Sequence, residues 1–290
     1  MKQPKKTPVT VTRGSNPQVN VLIDWISGTF KGENRANMSY PPEFDQKRVQ
    51  TRPLNGYDIA VRYGDGRLEM QNSKRIDMGI HFTWSGEVLR NLPISAPEAL
   101  EYMISSGATI TRIDIAIDVF NMGLDPRRAT AEIEAGNIKT RAKQKPFWGS
   151  PGEKGYTQYV GKKSSEIFLR IYNKAAEMGI EADYTRVELS VKDERAHKAA
   201  IAILRGDSYR SLVLGFCTFP LWDEWLEVMG MDAISLPAER TTSKTKEWIL
   251  RSVVPAIARE LELDGDDDFW FQFIEQVRIK RAELADMWSV

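Results

Sequence analysis

Cysteine and histidine are almost missing from this 290-residue chain: Cys217 stands alone, and the only histidines are His81 and His197. One cysteine excludes an intramolecular disulfide and any cysteine-built zinc site. Two histidines so far apart exclude a His-x-His clamp, an HExxH zinc site and a multi-histidine iron centre. No GxSxG elbow is present to support a Ser-His-Asp triad. A metal held here would therefore rest on oxygen ligands, which points to Mg2+ or Mn2+. Long hydrophobic runs are missing too. No stretch reaches the ~18–20 apolar residues of a membrane span, and Met1-Lys2-Gln3-Pro4-Lys5-Lys6 carries no apolar signal core. These absences predict a cytoplasmic protein with no membrane partner.

Net charge is missing as well, with 40 basic residues against 40 acidic. Taken whole, that balance argues against a nucleic-acid protein, but its distribution argues the reverse. From Lys139 to Lys174 nine basic residues face only Glu153 and Glu166, whereas Glu260 to Glu275 holds seven acids and no base. Charge separated in this way can present one strongly positive surface, and the local field governs phosphate binding. Hydrophobic residues make up 42% and charged residues 28%, an ordinary globular balance. The length suits one large domain or two modest ones.

Local patterns predict the elements. Residues 1–18, polar and proline-bearing, read as a flexible N-terminal arm. VLIDWISGTF from Val21 reads as a strand. Gly-Asp-Gly between IAVRY and RLEMQ marks a hairpin. Pro97 opens a helix that Gly107 closes, and Asp125 with Pro126 starts another running to Ala135. Further strands follow in YTQYV, EIFLRIYNK and YTRVELSVK. Residues 243–262 and 267–287 read as helices around an acidic knot at 264–268. Without βαβα regularity, the pattern predicts an α+β fold. Its centre is a mostly antiparallel β-sheet with helices packed on one face, plus a helical C-terminal region over 237–290.

Side chains alternate across a strand, so three middle strands each have two faces. Ile113, Ile115 and Ile117 oppose Arg112, Asp114, Ala116 and Asp118. Leu169 and Ile171 oppose Arg170, Tyr172 and Lys174. Val187, Leu189 and Val191 oppose Arg186, Glu188, Ser190 and Lys192. Each strand buries an aliphatic face and shows a polar one, as in a sheet covered on one side. Pooled, the polar faces suit tyrosine attack on a DNA phosphodiester. The phenol, with pKa ~10, needs activation. A cation on Asp114 and Glu188 would polarise the phosphate. Arg170 and Lys174 would neutralise developing charge, and nearby positive charge would depress the tyrosine pKa.

DWISGTF at 24–30, GIHFTWSG at 79–86, TRIDIAIDVF at 111–120, TQYVGKKSSEIFLRIYNK at 157–174 and TRVELSVK at 185–192 occur in that order. Together they resemble the replication initiation factor family of rolling-circle plasmids, filamentous phages and some integrative elements, over roughly residues 20–215. The resemblance implies a metal-dependent nicking enzyme in a bacterial host cell, with a catalytic domain over 19–236. Such an enzyme becomes linked to the 5′ phosphate through tyrosine and frees a 3′ hydroxyl that primes synthesis. It implies Tyr172 as nucleophile and Asp114 and Glu188 as metal ligands. Its partners would be origin DNA, single-stranded or extruded as a hairpin, and a host helicase and polymerase. Two strand-transfer steps would suit a homodimer. A conjugative relaxase and a non-catalytic DNA-binding regulator are the rival readings.

Other residues carry two readings each. Tyr156, Tyr159 and Tyr184 rival Tyr172. Asp118, ~13 Å along the strand from Asp114, stands behind the ion rather than on it. Glu188 could instead pair with Arg112 or Arg186. Asp24, with Leu22 and Ile26 on its own face by alternation, is expected to be buried with a partner, a metal among the candidates. Lys139, Arg141, Lys143 and Lys145 alternate ahead of Phe147 and Trp148, which suits phosphate contacts beside base stacking, or else a solvated loop. Lys162 and Lys163 after Gly161 suit a phosphate-gripping turn, and Arg112 and Arg186 complete the DNA-binding set. His81 reads as a plain strand position, His197 as a surface helix residue and Cys217 as a buried small hydrophobe.

Overall fold

The computed structural model describes residues 16–32, 48–64, 66–140, 142, 148–152, 155–237 and 272–279, with backbone alone for 148–152. The chain divides into two compact units, Met1–Ala238 and Glu239–Val290. In the second, 272–279 is helical; the remainder of the helices expected at 243–262 and 267–287 lies outside the described residues. So do residues 1–15 of the arm expected over 1–18, whose last residue, Gln18, already belongs to a strand. No helix among the described residues is long and apolar enough to cross a membrane.

The first unit is built on strands β1 (Gln18–Phe30), β2 (Arg48–Gln50), β3 (Ile59–Tyr63), β4 (Leu68–Gln71), β5 (Ile80–Ser85), β6 (Ala108–Phe120), β7 (Lys139–Thr140), β8 (Trp148–Gly152), β9 (Gly155–Val160), β10 (Ile167–Asn173), β11 (Tyr184–Lys192) and β12 (Cys217–Thr218). Ten of them form one sheet in the order β2-β3-β4-β5-β1-β6-β11-β10-β9-β8, and β12 pairs with β7 separately. All these pairings are antiparallel. Pro151 lies in β8, an edge strand, where a missing N–H costs no ladder bond.

One face of this sheet is the core. Ile113, Ile115 and Ile117 of β6, Leu169 and Ile171 of β10, and Val187, Leu189 and Val191 of β11 are all buried in it, as alternation predicts. Helix α2 (Ala96–Ser105) packs on β6. It starts at a reciprocal cap between Ser95 and Glu98 with proline in its first turn, which satisfies two orphan amides. Helix α3 (Pro126–Glu134) starts at Asp125, whose carboxylate accepts from the Arg127 amide. Helix α5 (Asp193–Leu204) lies on β6 and β11 through Ala196, Ala199 and Ala200; small side chains let its backbone approach the aliphatic layer closely. His197 on α5 is half-buried rather than a surface residue, because its Nδ1 accepts from the Ile110 amide of β6. Helices α6 (Tyr209–Phe216) and α7 (Trp222–Leu226) complete the layer with Leu212, Val213, Trp222 and Trp225, and Cys217 is buried beside them.

The other face is polar, and two short helices stand beside it: α1 (Gly86–Asn91) and α4 (Lys174–Met178). Strand β1 reaches this face through an irregularity. Ile23 pairs with Ile115 and Trp25 with Asp114, which leaves Asp24 as an extra residue in a bulge. Strict alternation, which put Asp24 on one face with Ile26, is therefore corrected. Ile23 and Ile26 are both in the core, whereas Leu22, Asp24 and Trp25 line the polar side. Bulges of this kind re-aim side chains beside functional sites.

Candidate active site

A cleft of about 550 Å3 opens on the polar face, walled by β1, β6, β10, β11, α1 and α4. Asp24, Asp114, Asp118 and Glu188 line it, together with Tyr172, Tyr184, Arg90, Arg112, Arg170, Arg186 and Lys174. Sequence-predicted residues from three separated segments thus share one cavity because β10, β11 and β6 are sheet neighbours. In register, Arg170 pairs with Glu188, Tyr172 with Arg186, Arg186 with Asp118, and Ser190 with Asp114.

Tyr172 is only 4% exposed, yet its hydroxyl points at the acids rather than into hydrocarbon. It donates to Glu188 Oε2 at 3.1 Å. The same oxygen accepts from Arg170 Nη2 at 2.7 Å, and the Arg170 guanidinium lies 4.7 Å from the Tyr172 ring centre. Burial, then the Glu188 charge, push the Tyr172 phenol far above its ordinary value, and Arg170 and Arg186 offset only part of this. The expected depression by nearby cations is overturned in the free protein, because desolvation of a buried phenolate outweighs the arginines. Burial also raises the Glu188 carboxyl, with Arg170 opposing and Asp114 and Asp24 adding to the rise.

Asp24, Asp114, Asp118 and Glu188 are each met by an arginine. Arg112 grips Asp114 with Nε at 3.0 Å and Nη2 at 2.6 Å. Arg186 spans two acids, holding Asp118 at 2.5 and 2.8 Å and Asp24 at 2.9 Å. Asp24 is also reached by Arg90 at 3.2 Å. Arg186 further donates to the Tyr184 hydroxyl at 3.2 Å and is 4% exposed. Its donors are spent inside the protein, so its place is that of a buried clasp between β11, β6 and β1 rather than an open phosphate contact. Glu188 pairs with Arg170, not with Arg112 or Arg186. Lys174 is paired with Glu177 and stands 5.6 Å from the Tyr172 ring centre. Arg170 Nε and, on neighbouring β11, Ser190 Oγ are among the buried side-chain polar atoms that lack a hydrogen-bond partner in the described residues.

The rival tyrosines separate. Tyr156 bonds Thr130 at 2.8 Å on the α3 side. Tyr159 sits beneath the Lys163 ammonium. Tyr184 shares the cleft but stacks on Phe120 at 4.3 Å and meets Arg186 instead of Glu188. Of the expected DNA contacts, Lys162 and Lys163 lie exposed in the turn between β9 and β10. Lys139 belongs to the small β7–β12 pair, outside the large sheet. Arg141, Lys143 and Lys145 lie outside the described residues, and Trp148 is described by its backbone alone. The sequence reading missed Trp25 and Glu177 as cleft residues, and Arg90 on α1, and it named Tyr184 only as a rival nucleophile. A partner for Asp24 was the one signal pointing toward Arg90.

The family described as replication initiation factor matches residues 108–274, which include Asp114, Tyr172 and Glu188. The chain belongs to that family. A solved structure titled as a rolling circle replication initiator protein from Geobacillus stearothermophilus shares the fold at a TM-score of 0.56 with 20% identity. The likeness covers 79% of this chain and 91% of that one. A search among curated proteins finds no match.

Replication initiation factors of this kind imply a divalent cation. Among the described residues, no group of three or more His, Cys, Asp or Glu side chains is placed to hold a metal ion. The donor chemistry nevertheless fits, since carboxylate oxygens are hard ligands suited to Mg2+ or Mn2+. Glu188 also feels the charges of both Asp114 and Asp24, a repulsion that a shared cation relieves.

Proposed function

We propose that the chain is a rolling-circle replication initiator that nicks origin DNA by attack of Tyr172 on a phosphodiester. Family membership supports a rolling-circle initiator or relaxase role with nuclease-like activity. The observation that carries the finer reading is the Tyr172 hydroxyl bonded to Glu188 inside a cleft that also holds Asp24, Asp114, Asp118 and four arginines.

The chemistry follows from these groups. A phosphate entering the cleft competes with the carboxylates for Arg170 and Arg112, whose side chains are 32% and 36% exposed. Arginine forks suit phosphate as well as carboxylate. Loss of Arg170 from Glu188 leaves that carboxylate more basic, and its Oε2 already accepts the hydrogen bond of the Tyr172 hydroxyl. The phenolic oxygen attacks phosphorus, its proton passes to Glu188, and the bond to the 3′ oxygen breaks. The leaving oxygen takes a proton from water, giving a 3′ hydroxyl and a 5′ phosphotyrosine. Asp114 and Glu188 would hold Mg2+ or Mn2+, with Asp24 and Asp118 alongside, and the ion would supply polarisation of the phosphate. Arg170 and Lys174 stabilise charge building on the phosphate oxygens.

Incubation with supercoiled DNA carrying the chain's own coding region and its flanks tests the reading. Tyr172→Phe keeps DNA affinity within a few-fold and loses nicking and the covalent adduct. A Tyr172→Phe protein that still forms the adduct refutes the assignment.

A further inference from the structure

Asp24, Asp114, Asp118 and Glu188 are not held alike by their arginines. Arg186 is buried and spends its donors on Asp118, Asp24 and the Tyr184 hydroxyl. Arg170 gives Glu188 one bond, on Oε2. Arg112 closes both oxygens of Asp114, with Nε on Oδ1 and Nη2 on Oδ2, yet its own side chain is 36% exposed. A cation approaching Asp114 meets that positive fork first.

The Arg112 guanidinium also has a seat. It lies 4.6 Å from the ring centre of Trp25, and Trp25 is fixed in turn. The bulge at Asp24 turns the indole onto this face. Its N–H donates to Ser27 Oγ at 2.7 Å, and the Ser27 hydroxyl is bonded to that of Thr83 at 3.0 Å. An arginine resting on an aromatic face keeps its N–H groups in its own plane for oxygen partners. It can therefore trade a carboxylate for a phosphate without leaving the ring. Lys192 stands opposite Arg112 across β11 and β6, so two like charges share neighbouring strands and an anion between them is favoured. Asp114 supplies that anion in the free chain.

We propose that Arg112, seated on Trp25, is a two-position fork that ties cation binding to substrate binding. In the free chain it closes Asp114. A phosphodiester entering the cleft draws it off, and both Asp114 oxygens open to Mg2+ or Mn2+. Cation and phosphodiester then bind cooperatively, each tightening the other by the same factor. The proposal rests on the nicking reading and gives that site its regulation: the free chain holds the cation weakly. Arg112 and Trp25 are positioning residues in this scheme.

Mn2+ binding to the full chain, read from the electron paramagnetic resonance of free Mn2+, tests the exchange apart from nicking. At constant ionic strength, an excess of diethyl phosphate, a lone phosphodiester anion, tightens Mn2+ binding to wild type about tenfold. Arg112→Met binds Mn2+ about tenfold more tightly than wild type before the phosphodiester is added, and gains little afterwards. Arg112→Lys keeps the charge without the fork, and it too binds Mn2+ more tightly than wild type. At a subsaturating level of diethyl phosphate, Trp25→Leu shows a smaller coupling and Trp25→Phe recovers it. A wild-type Mn2+ affinity indifferent to the phosphodiester, or Arg112→Lys at the wild-type value, overturns the exchange; coupling undiminished in Trp25→Leu overturns the seat. Adduct formation measured in parallel separates this from the nicking reading. An adduct without the coupling removes the exchange alone, and coupling with no adduct from wild type removes the nicking reading alone.

Discussion

Glu188 Oε2 accepts two hydrogen bonds, one from Arg170 and one from Tyr172, so a single carboxylate oxygen ties the proposed nucleophile to the cation a phosphate would claim. Glu188→Gln keeps the shape of the cleft but removes the proton acceptor and an anionic ligand. Single-turnover nicking should fall by about 10²–10⁴-fold, while anisotropy with an oligonucleotide shows binding retained. Asp118 has a different task. It and Arg186 are both buried and bonded twice, and removing one partner strands a charge. Asp118→Ala should cost about 3–5 kcal/mol in chemical denaturation, and Asp118→Ala with Arg186→Met should cost less than the single change. Equal losses in both would mean that the pair contributes packing rather than charge.

Strand β1 and helix α1 together place Asp24, through a bulge in one and a glycine in the other. A Cβ at Gly86 would land on the Asp24 carboxylate, so a larger residue there would push Asp24 off Arg90 and Arg186. Gly86→Ala should lower stability by about 1–3 kcal/mol by overpacking and reduce nicking as well; a melting curve and a nicking assay check the two effects. Elements of this sort mark the limit of what the sequence reveals. The alternating faces of β6, β10 and β11 were legible because period two with β-branched residues has one reading, and those strands carry Asp114, Tyr172 and Glu188. Asp125 and Pro126 likewise announced α3. The bulge was not legible, since an inserted residue shifts the faces without any composition cue, and Asp24 was therefore grouped with Ile26. The arginine opposite each acid was not legible either, because which fork meets which carboxylate depends on strand order and register.

The whole first unit is a wide sheet with its aliphatic layer under helices and its charged layer open, which buries tyrosines along with the core. Burial raises Tyr57, Tyr63, Tyr172, Tyr184 and Tyr209, with Tyr63 pushed up to about 12, and raises Cys217 as well. An acid whose folded pKa lies above its unfolded one keeps its proton in the native state while the unfolded chain releases it. Its stabilisation is full below the unfolded value and is lost as pH rises from there toward the folded value. Lys192, shifted downward, opposes this as one group against six. Denaturation midpoints should therefore fall between pH 9 and 11; a flat profile would mean that these phenols are open to water. The proposed function lies in the charged layer, and its central claim is that one tyrosine makes the covalent bond. Mass spectrometry of the protein–DNA adduct after nuclease and protease digestion tests it most directly. The account predicts a nucleotide-bearing peptide modified at Tyr172; modification at Tyr156, Tyr159 or Tyr184, or nicked DNA with no adduct, would contradict it.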